Sequence, residues 1–341
     1  FYSKINEKRL PDVLIFLIFT IFAGILSVNF GMERNYDTRN YHIYNPYAFL
    51  NNRYTTDIMP AGIQSYFNPY LDIPYYLAIK YLNNHPFFVT FLYGFSYALF
   101  LFLIYKITKL IFKEYKPITF LSVFTASGIP IIIRSLGWLS HDIFIGDLIL
   151  LSLYFLIKLF DNKNFNFKSA FLIGVILGVA TGLKLTASIF VISIFLTYII
   201  FYRNIQNPFK NFLLLIFGSI TGFLLIDGFW LYKMYSIFEN PFFPYFNWLF
   251  QSPYIISSNV YTMDFLSLVP VSFKDKLFPP FLFLAAYNSL KLIYFTFIIN
   301  LFTLPFIKKE EFFSKFHINI KITDFVTIYC FISFILLMNT F

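Results

Sequence analysis

The chain has 341 residues, of which 58% are hydrophobic and only 13% are charged. A soluble domain usually carries about 25% charged residues, so this composition excludes an ordinary water-soluble protein and indicates lipid as the main solvent. The net charge of +9 follows the membrane topology given below, so it does not indicate binding to nucleic acid. Cys330 is the single cysteine, which excludes an internal disulfide.

Apolar runs long enough to cross a bilayer recur along the whole chain. They predict an all-α fold, a polytopic transmembrane helix bundle of about nine spans in one domain over residues 1–341. We expect this sequence to be partial at both ends. The predicted spans are 12–30, 87–112, 118–133, 143–160, two shorter helices within 169–202, 211–231, 288–307 and 322–340.

Basic residues predict the orientation of the bundle. Lys4, Lys8 and Arg9 precede the first span, no small-residue cleavage site follows it, and lysines gather again after the second and fourth spans. Because Lys and Arg concentrate in cytoplasmic segments, the N-terminus is predicted to be cytoplasmic. Residues 31–86 and 232–280 are then two extracytoplasmic loops.

The first of these loops is too long for a passive connector. It is predicted to lie against the outer membrane surface as amphipathic helices. Asn45 and Asn68 each stand directly before a proline, which is the pattern of an N-cap followed by proline at the first helical position. Asp72 is expected to cap the helix that follows it, and Asp57 is expected to lie in a turn.

The entrance of the loop holds the strongest candidate for chemistry. Polar and aromatic side chains follow one another there at the spacing of an α-helical face: Asp37, Asn40, Tyr41 and Tyr44. Pro46 would strain a long helix at this place. A carboxylate on such a face can accept a proton from a hydroxyl nucleophile. The simpler alternative is that Asp37 or Thr38 only caps a short helix.

Later segments add a cation and a histidine. Lys184 interrupts two apolar helices within 181–186, so it should either face a cavity or extend to the outer interface. His141 and Asp142 begin the fourth span, where Asp142 is expected mainly to be an N-cap. His42 has no second histidine at ligand spacing, so no metal site is predicted.

The layout resembles the GT-C class of membrane glycosyltransferases, which use a lipid-phosphate-linked sugar as donor. A first span followed by a large outer loop with an early acid carries the resemblance. Three stretches are also similar to stretches in bacterial relatives of that class: residues 37–46, 178–186 and 240–247. The chain lacks the adjacent Asp-Glu pair and the Asp-x-Asp motif of some members.

The resemblance implies that Asp37 is the catalytic base of an inverting, hexosyltransferase-like enzyme. An acceptor hydroxyl would attack the anomeric carbon of a polyprenyl-phosphate sugar. Cationic side chains suit the leaving phosphate: Arg39, Arg134 and Lys184. Five further residues are expected to contact the substrates: Asn40, Tyr41, His42, His141 and Asp142. No cofactor is predicted, although a role for a divalent metal stays open.

The predicted activity is therefore sugar transfer to a glycan, lipid or protein acceptor at the outer face of a bacterial inner (plasma) membrane. One alternative is a surface-polysaccharide polymerase or ligase, which would place an Arg-rich loop late in the chain. The other is a lipid-linked-sugar flippase or transporter, which needs charged residues along a central cavity. Such positions within the spans are few, and Asp227 could face a cavity or merely approach the interface.

Overall fold

The computed structural model describes residues 11–32, 36–113, 116–129, 132–133, 135–137, 141–162, 167–205, 207–254 and 320–340. The predicted all-α class is confirmed, since the described elements are helical apart from one strand of four residues, Pro60–Ile63. The α-helices are α1 Asp12–Phe30, α2 Tyr44–Leu50, α3 Ile73–Leu82, α4 Pro86–Tyr93, α5 Phe95–Ile111, α6 Lys116–Ser127, α7 Asp142–Asn162, α8 Phe167–Leu183, α9 Ser188–Ile200, α10 Pro208–Phe238, α11 Asn247–Phe250 and α12 Ile320–Thr340.

Four helices in the described part are long and apolar enough to cross a membrane: Asp12–Phe30, Pro86–Ile111, Asp142–Phe160 and Pro208–Phe238. The prediction of about nine spans, drawn from run length, is therefore confirmed for these four. Two shorter apolar helices, Lys168–Leu183 and Leu185–Ile200, correspond to the pair predicted within 169–202. The span predicted at 288–307 lies outside the described residues.

The first and second spans are antiparallel, and an ion pair joins two of their ends. Asp12, at the start of α1, pairs with Lys106 near the end of α5 and lies 3.7 Å from Lys109. The first loop begins at the opposite end of α1. We call that end of the bundle the loop end, and it is where α7 begins and where α8 ends.

Glycines let α8 and α10 pack backbone against backbone. A Cβ atom at Gly178 would overlap the carbonyl oxygen of Ser219, and one at Gly222 would overlap the carbonyl oxygen of Val175. Small residues four apart allow membrane helices this close approach. The same spacing continues through Gly174 and Gly218, whose Cβ atoms would also meet the facing backbone. This glycine seam fixes the loop ends of α8 and α10 beside each other.

The break predicted within 181–186 is confirmed. Helix α8 ends at Leu183, and Lys184 adopts an extended conformation with φ −148° and ψ 109°. A short 3-10 turn, Leu185–Ala187, then leads into α9. The chain therefore reverses at Lys184, which places this lysine at the loop end.

The two helix starts predicted in the first loop need correction. Helix α2 begins at Tyr44, and Asn45 is buried inside it, where its Nδ2 donates to the carbonyl oxygen of Gln64 at 2.9 Å. The start predicted at Asn68-Pro69 is also wrong, because helix α3 begins at Ile73, and the side chain of Asp72 makes no capping bond to it. These polar side chains bond to residues distant in the chain instead, because tertiary contacts satisfy them better than the local helix ends do.

Candidate active site at the loop end

A cavity of about 150 Å³ lies where the first loop meets the ends of α8 and α10. Its wall combines aromatic rings with polar side chains from three separate parts of the chain. The polar and charged lining residues used below are His42, Asn68, Asp72, Lys184 and Asp227. Clefts that bind small molecules typically combine apolar walls with a few converging polar groups.

The loop entrance reaches this cavity through a π-helix, Thr38–His42. Its last two residues, Tyr41 and His42, line the cavity. The prediction that the polar residues of the loop entrance share one α-helical face is therefore wrong, because the backbone hydrogen bonds of a π-helix join residues five apart and not four. Single π-turns are frequent at functional sites. Asn40, expected to contact substrate, instead donates from Nδ2 to the carbonyl oxygen of Tyr36 at 2.6 Å.

Asp72 joins the two histidines that the sequence left apart. Its Oδ1 accepts a hydrogen bond from Nδ1 of His42 at 2.9 Å. Nε2 of His141 lies 3.1 Å from the same oxygen, at an angle poor for a hydrogen bond. Burial lowers the pKa of His141 below its ordinary value of 6.5, although Asp72 acts in the opposite direction. Within the described residues, no group of three or more His, Cys, Asp or Glu is arranged to hold a metal ion.

Lys184 forms an ion pair with Asp142, the first residue of α7. The side chain of Lys184 is 37% exposed and that of Asp142 is 61% exposed. Lys184 also lines the cavity, so the alternative of a lysine that only reaches out to the interface does not describe it. Asp142 is expected from the sequence mainly to be an N-cap, and it instead pairs with a residue at the end of α8.

Asp227 faces the cavity, which settles the alternative left open by the sequence. Its Oδ1 accepts a hydrogen bond of 2.6 Å from Nδ2 of Asn68, which also donates to the carbonyl oxygen of Gly182 at 3.0 Å. Asn68 therefore holds the first loop against both α8 and α10.

Asp37 occupies the N-cap position of the π-helix and is half-buried. Its carboxylate has no hydrogen bond or ion pair with the residues that the structure describes. Burial raises the pKa of Tyr41, and the carboxylates of Asp37, Asp72 and Asp142 raise it further. The three carboxylates therefore act electrostatically on one phenol that lines the cavity, although Asp37 and Asp142 do not line it themselves.

One of the three predicted phosphate ligands is not brought into the cavity. Arg39 is exposed and lies outside the cavity lining. Arg134 lies outside the described residues, so its predicted convergence with Asp37 and Lys184 stays a prediction. Two residues of the site, Asp72 and Asn68, were assigned from the sequence to caps. The sequence carried only a weak indication of this cluster, namely that the chain has just four histidines. The structure shows that two of them lie beside Asp72.

Residues 77–232 match a family model described as dolichyl-phosphate-mannose-protein mannosyltransferase. The matched segment is less than half of the chain. It contains Asp142, Lys184 and Asp227 but not the loop entrance with Asp37 and His42. No curated protein and no solved structure matches the chain. The family match confirms the resemblance to the GT-C class.

Proposed function

With a GT-C-type family match over residues 77–232 as the premise, we propose that this membrane protein transfers a sugar from a polyprenyl-phosphate donor. The observation that carries the proposal is the cavity itself. It brings the lysine of the helix break, Lys184, together with carboxylates of the first loop and of α10. A sugar phosphate needs both kinds of group, a cation for its phosphate and hydrogen-bond acceptors for its hydroxyls.

Asp37 is the proposed general base. As the acceptor oxygen attacks the anomeric carbon, its proton passes to the Asp37 carboxylate. The bond between that carbon and the phosphate oxygen breaks, and the electron pair leaves with the phosphate. This direct displacement inverts the anomeric centre. A positioned base contributes about 10²–10⁴-fold to such a step, provided that the acceptor lies at the mouth of the cavity beside Tyr41.

Lys184 is the proposed partner of the leaving phosphate. A phosphate is already stable as an anion, so a positive charge placed where the negative charge develops can replace a general acid. The ion pair with Asp142 keeps the ammonium group at the edge of the cavity while the donor is absent. Arg39 and Arg134 stay proposed contributors from the sequence. His141 and Asp142 do not line the cavity, so the substrate contacts expected of them from the sequence stay a prediction outside the proposed steps.

The bond between His42 and Asp72 positions the loop entrance. It ties the π-helix to the start of α3 through buried side chains, and Asp37 stands at the other end of that short π-helix. A catalytic group 1 Å out of place can cost about 10²-fold in rate. His42 and Asp72 are therefore positioning residues in this proposal, and Tyr41 directly precedes His42 on the same π-helix.

The remaining features of the proposal come from the charge pattern and the resemblance. The concentration of Lys and Arg on one side of the predicted topology supports an extracytoplasmic active site in a bacterial inner membrane. The acceptor is a glycan, lipid or protein of the cell envelope. No cofactor enters the proposed steps, because the leaving phosphate needs only a cationic partner.

The test compares the purified full-length protein with Asp37→Asn in a transfer assay with radiolabelled polyprenyl-phosphate mannose and glucose. We expect kcat to fall about 10²–10⁴-fold with little change in the KM for the donor. Asp57→Asn is the matched control, since this second loop carboxylate is already bonded by Arg53 and Tyr44, whereas the Asp37 carboxylate has no such partner among the described residues.

Asp72→Asn tests whether Asp72, and not Asp37, is the general base. Equal loss of kcat in Asp72→Asn and full kcat in Asp37→Asn would move the base to Asp72. A wild-type protein that moves the labelled lipid across vesicles without forming a new glycosidic bond would replace the transferase proposal by the flippase alternative.

A further inference from the structure

The cavity lining includes an amide, Asn68, and a carboxylate, Asp227, that take no part in the proposed transfer of the proton or departure of the phosphate. Asn68 commits all of its polar atoms to the protein. Its Nδ2 donates to Asp227 and to the carbonyl oxygen of Gly182, and its Oδ1 accepts from the backbone N–H of Tyr70 at 2.9 Å. Asn68 is therefore a fixed support whose two amide protons are both used within the protein.

Asp227 is in the opposite situation. Only its Oδ1 accepts a hydrogen bond, while Oδ2 has no partner among the residues that the structure describes. The residue is 7% exposed and lines the cavity. A buried carboxylate costs free energy unless its oxygens accept hydrogen bonds. The second oxygen is thus an acceptor held ready, in a fixed position, for donors on a molecule in the cavity.

Aromatic rings line the cavity together with this acceptor. Trp230 follows Asp227 by about one turn of α10 and is buried against the cavity. On the loop side, the rings of Phe67 and Tyr245 stack with centroids 5.9 Å apart and planes 13° apart. Aromatic faces accept the C–H faces of a pyranose, and a carboxylate accepts its hydroxyl groups. The volume of about 150 Å³ is roughly ten times what one water needs by the same measure, which suits a single sugar ring.

We propose that Asp227, oriented by Asn68, is a specificity-determining residue that accepts hydrogen bonds from hydroxyl groups of the donor sugar, and that this sugar carries no carboxylate. The inference rests on the proposed function, which requires a sugar phosphate in this cavity. The second part follows from charge. Asp72 and Asp227 both line the cavity, and its cation, Lys184, is occupied by the donor phosphate in the proposed function. A uronic acid would therefore bring a third carboxylate beside two others without a free cation, and like charges in a confined site repel strongly.

The chain offers a conservative variant for the test. In Asp227→Asn, the amide oxygen can still accept the bond from Asn68, so the link between the loop and α10 is kept. Only the outward atom changes, from a hydrogen-bond acceptor to a donor. Asp57→Asn again serves as the control, because it removes a loop carboxylate that does not line the cavity.

The first measurement uses polyprenyl-phosphate mannose, the corresponding glucose and glucuronic acid donors, and monodeoxy analogues of the first two. Wild-type protein should lose roughly 10–100-fold in kcat/KM for the analogue that lacks the contacted hydroxyl, as expected for a hydrogen bond to a charged group. Asp227→Asn should no longer discriminate against that analogue. The difference in kcat/KM between the neutral donors and the glucuronic donor should also become smaller. An unchanged profile in Asp227→Asn would overturn the inference, as would equal use of the glucuronic donor by the wild type.

If the wild type transfers none of these sugars, the proposed function fails, and Asp227 is judged by binding alone. Tryptophan fluorescence of the full-length protein is then followed with methyl mannoside, methyl glucoside and methyl glucuronide. Binding of a neutral glycoside that Asp227→Asn weakens at least tenfold, with Asp57→Asn unaffected, supports the inference without the transferase. Absence of binding by the wild type, or equal binding by Asp227→Asn, overturns it.

Discussion

Lys184 and Asp142 form an ion pair that connects the end of α8 to the start of α7 at the edge of the cavity. The two residues are far apart in the chain. From the sequence, Asp142 is expected to cap a helix and Lys184 to face a cavity or extend to the interface, so neither expectation involves the other residue. Their pairing places one positive charge where the break in the helix meets the first loop. The consequences for substrate binding can be separated from those for stability.

Replacing Lys184 by glutamine should weaken donor binding and leave the fold intact. Both side chains are more than a third exposed, so the pair contributes only about 0–1 kcal/mol to stability. Loss of a charged hydrogen bond to the donor phosphate should instead raise the KM for polyprenyl-phosphate sugar roughly 10–100-fold. Steady-state kinetics and a thermal unfolding curve of each purified variant measure the two effects.

Asp142→Asn is the matched control for that change. It leaves the ammonium group of Lys184 in place and removes its competitor, so the KM for the donor should stay the same or fall. A rise in KM of equal size in both variants would show that the ion pair, and not the free cation, organises the site.

His141 should make the protein less stable in mild acid. Burial lowers the pKa of its folded form below 6.5, so the unfolded chain binds a proton in a pH range where the folded chain does not. Stability rises with pH wherever the unfolded state holds more protons. The stabilisation is therefore complete above the ordinary histidine pKa of about 6.5 and decreases as the pH falls below it.

The measurement is the unfolding temperature of the full-length protein in detergent between about pH 8 and pH 5, the range in which histidine changes charge. Wild-type protein should lose more stability across this range than His141→Gln. The titratable groups that act on the pKa of His141 are Asp72, His42 and Lys184, and all three are kept in that variant. Parallel curves for the two proteins would contradict the assignment to His141.

Gly178→Ala should destabilise the bundle, because the new methyl group would overlap the carbonyl oxygen of Ser219 across the glycine seam. Overpacking of this kind costs about 1–3 kcal/mol. The comparison is Gly146→Ala in α7, where a Cβ atom meets nothing within 4 Å and alanine is the better helix former. The unfolding temperature should fall for Gly178→Ala only. A matching fall in both would mean that the seam is not the cause.

The glycine seam could have been predicted from the sequence. Gly174, Gly178 and Gly182 stand four apart on α8, and Gly218 and Gly222 do so on α10. That spacing is a known signal for close packing of membrane helices. It would have predicted that the ends of these two helices, and with them Lys184 and Asp227, lie together.

Asp72 had no comparable signal. Its position before a helix favours a cap, and it does occupy the N-cap position of α3. Its carboxylate nevertheless bonds a histidine 30 residues earlier in the chain. The local pattern was correct for the backbone and wrong for the side chain, because a buried imidazole provides a better partner than an exposed helix end.

The sequence by itself determined the helical class, the membrane setting, the break at Lys184 and the polar character of the first loop. These are local properties, since the length of an apolar run and the identity of a breaking residue can be read within one window. Only the tertiary structure decided which polar groups meet, as in the pairs of Lys184 with Asp142, Asn68 with Asp227 and Asp72 with His42. Such pairs depend on how closely helices distant in the chain approach, and that distance is set by packing across the whole bundle.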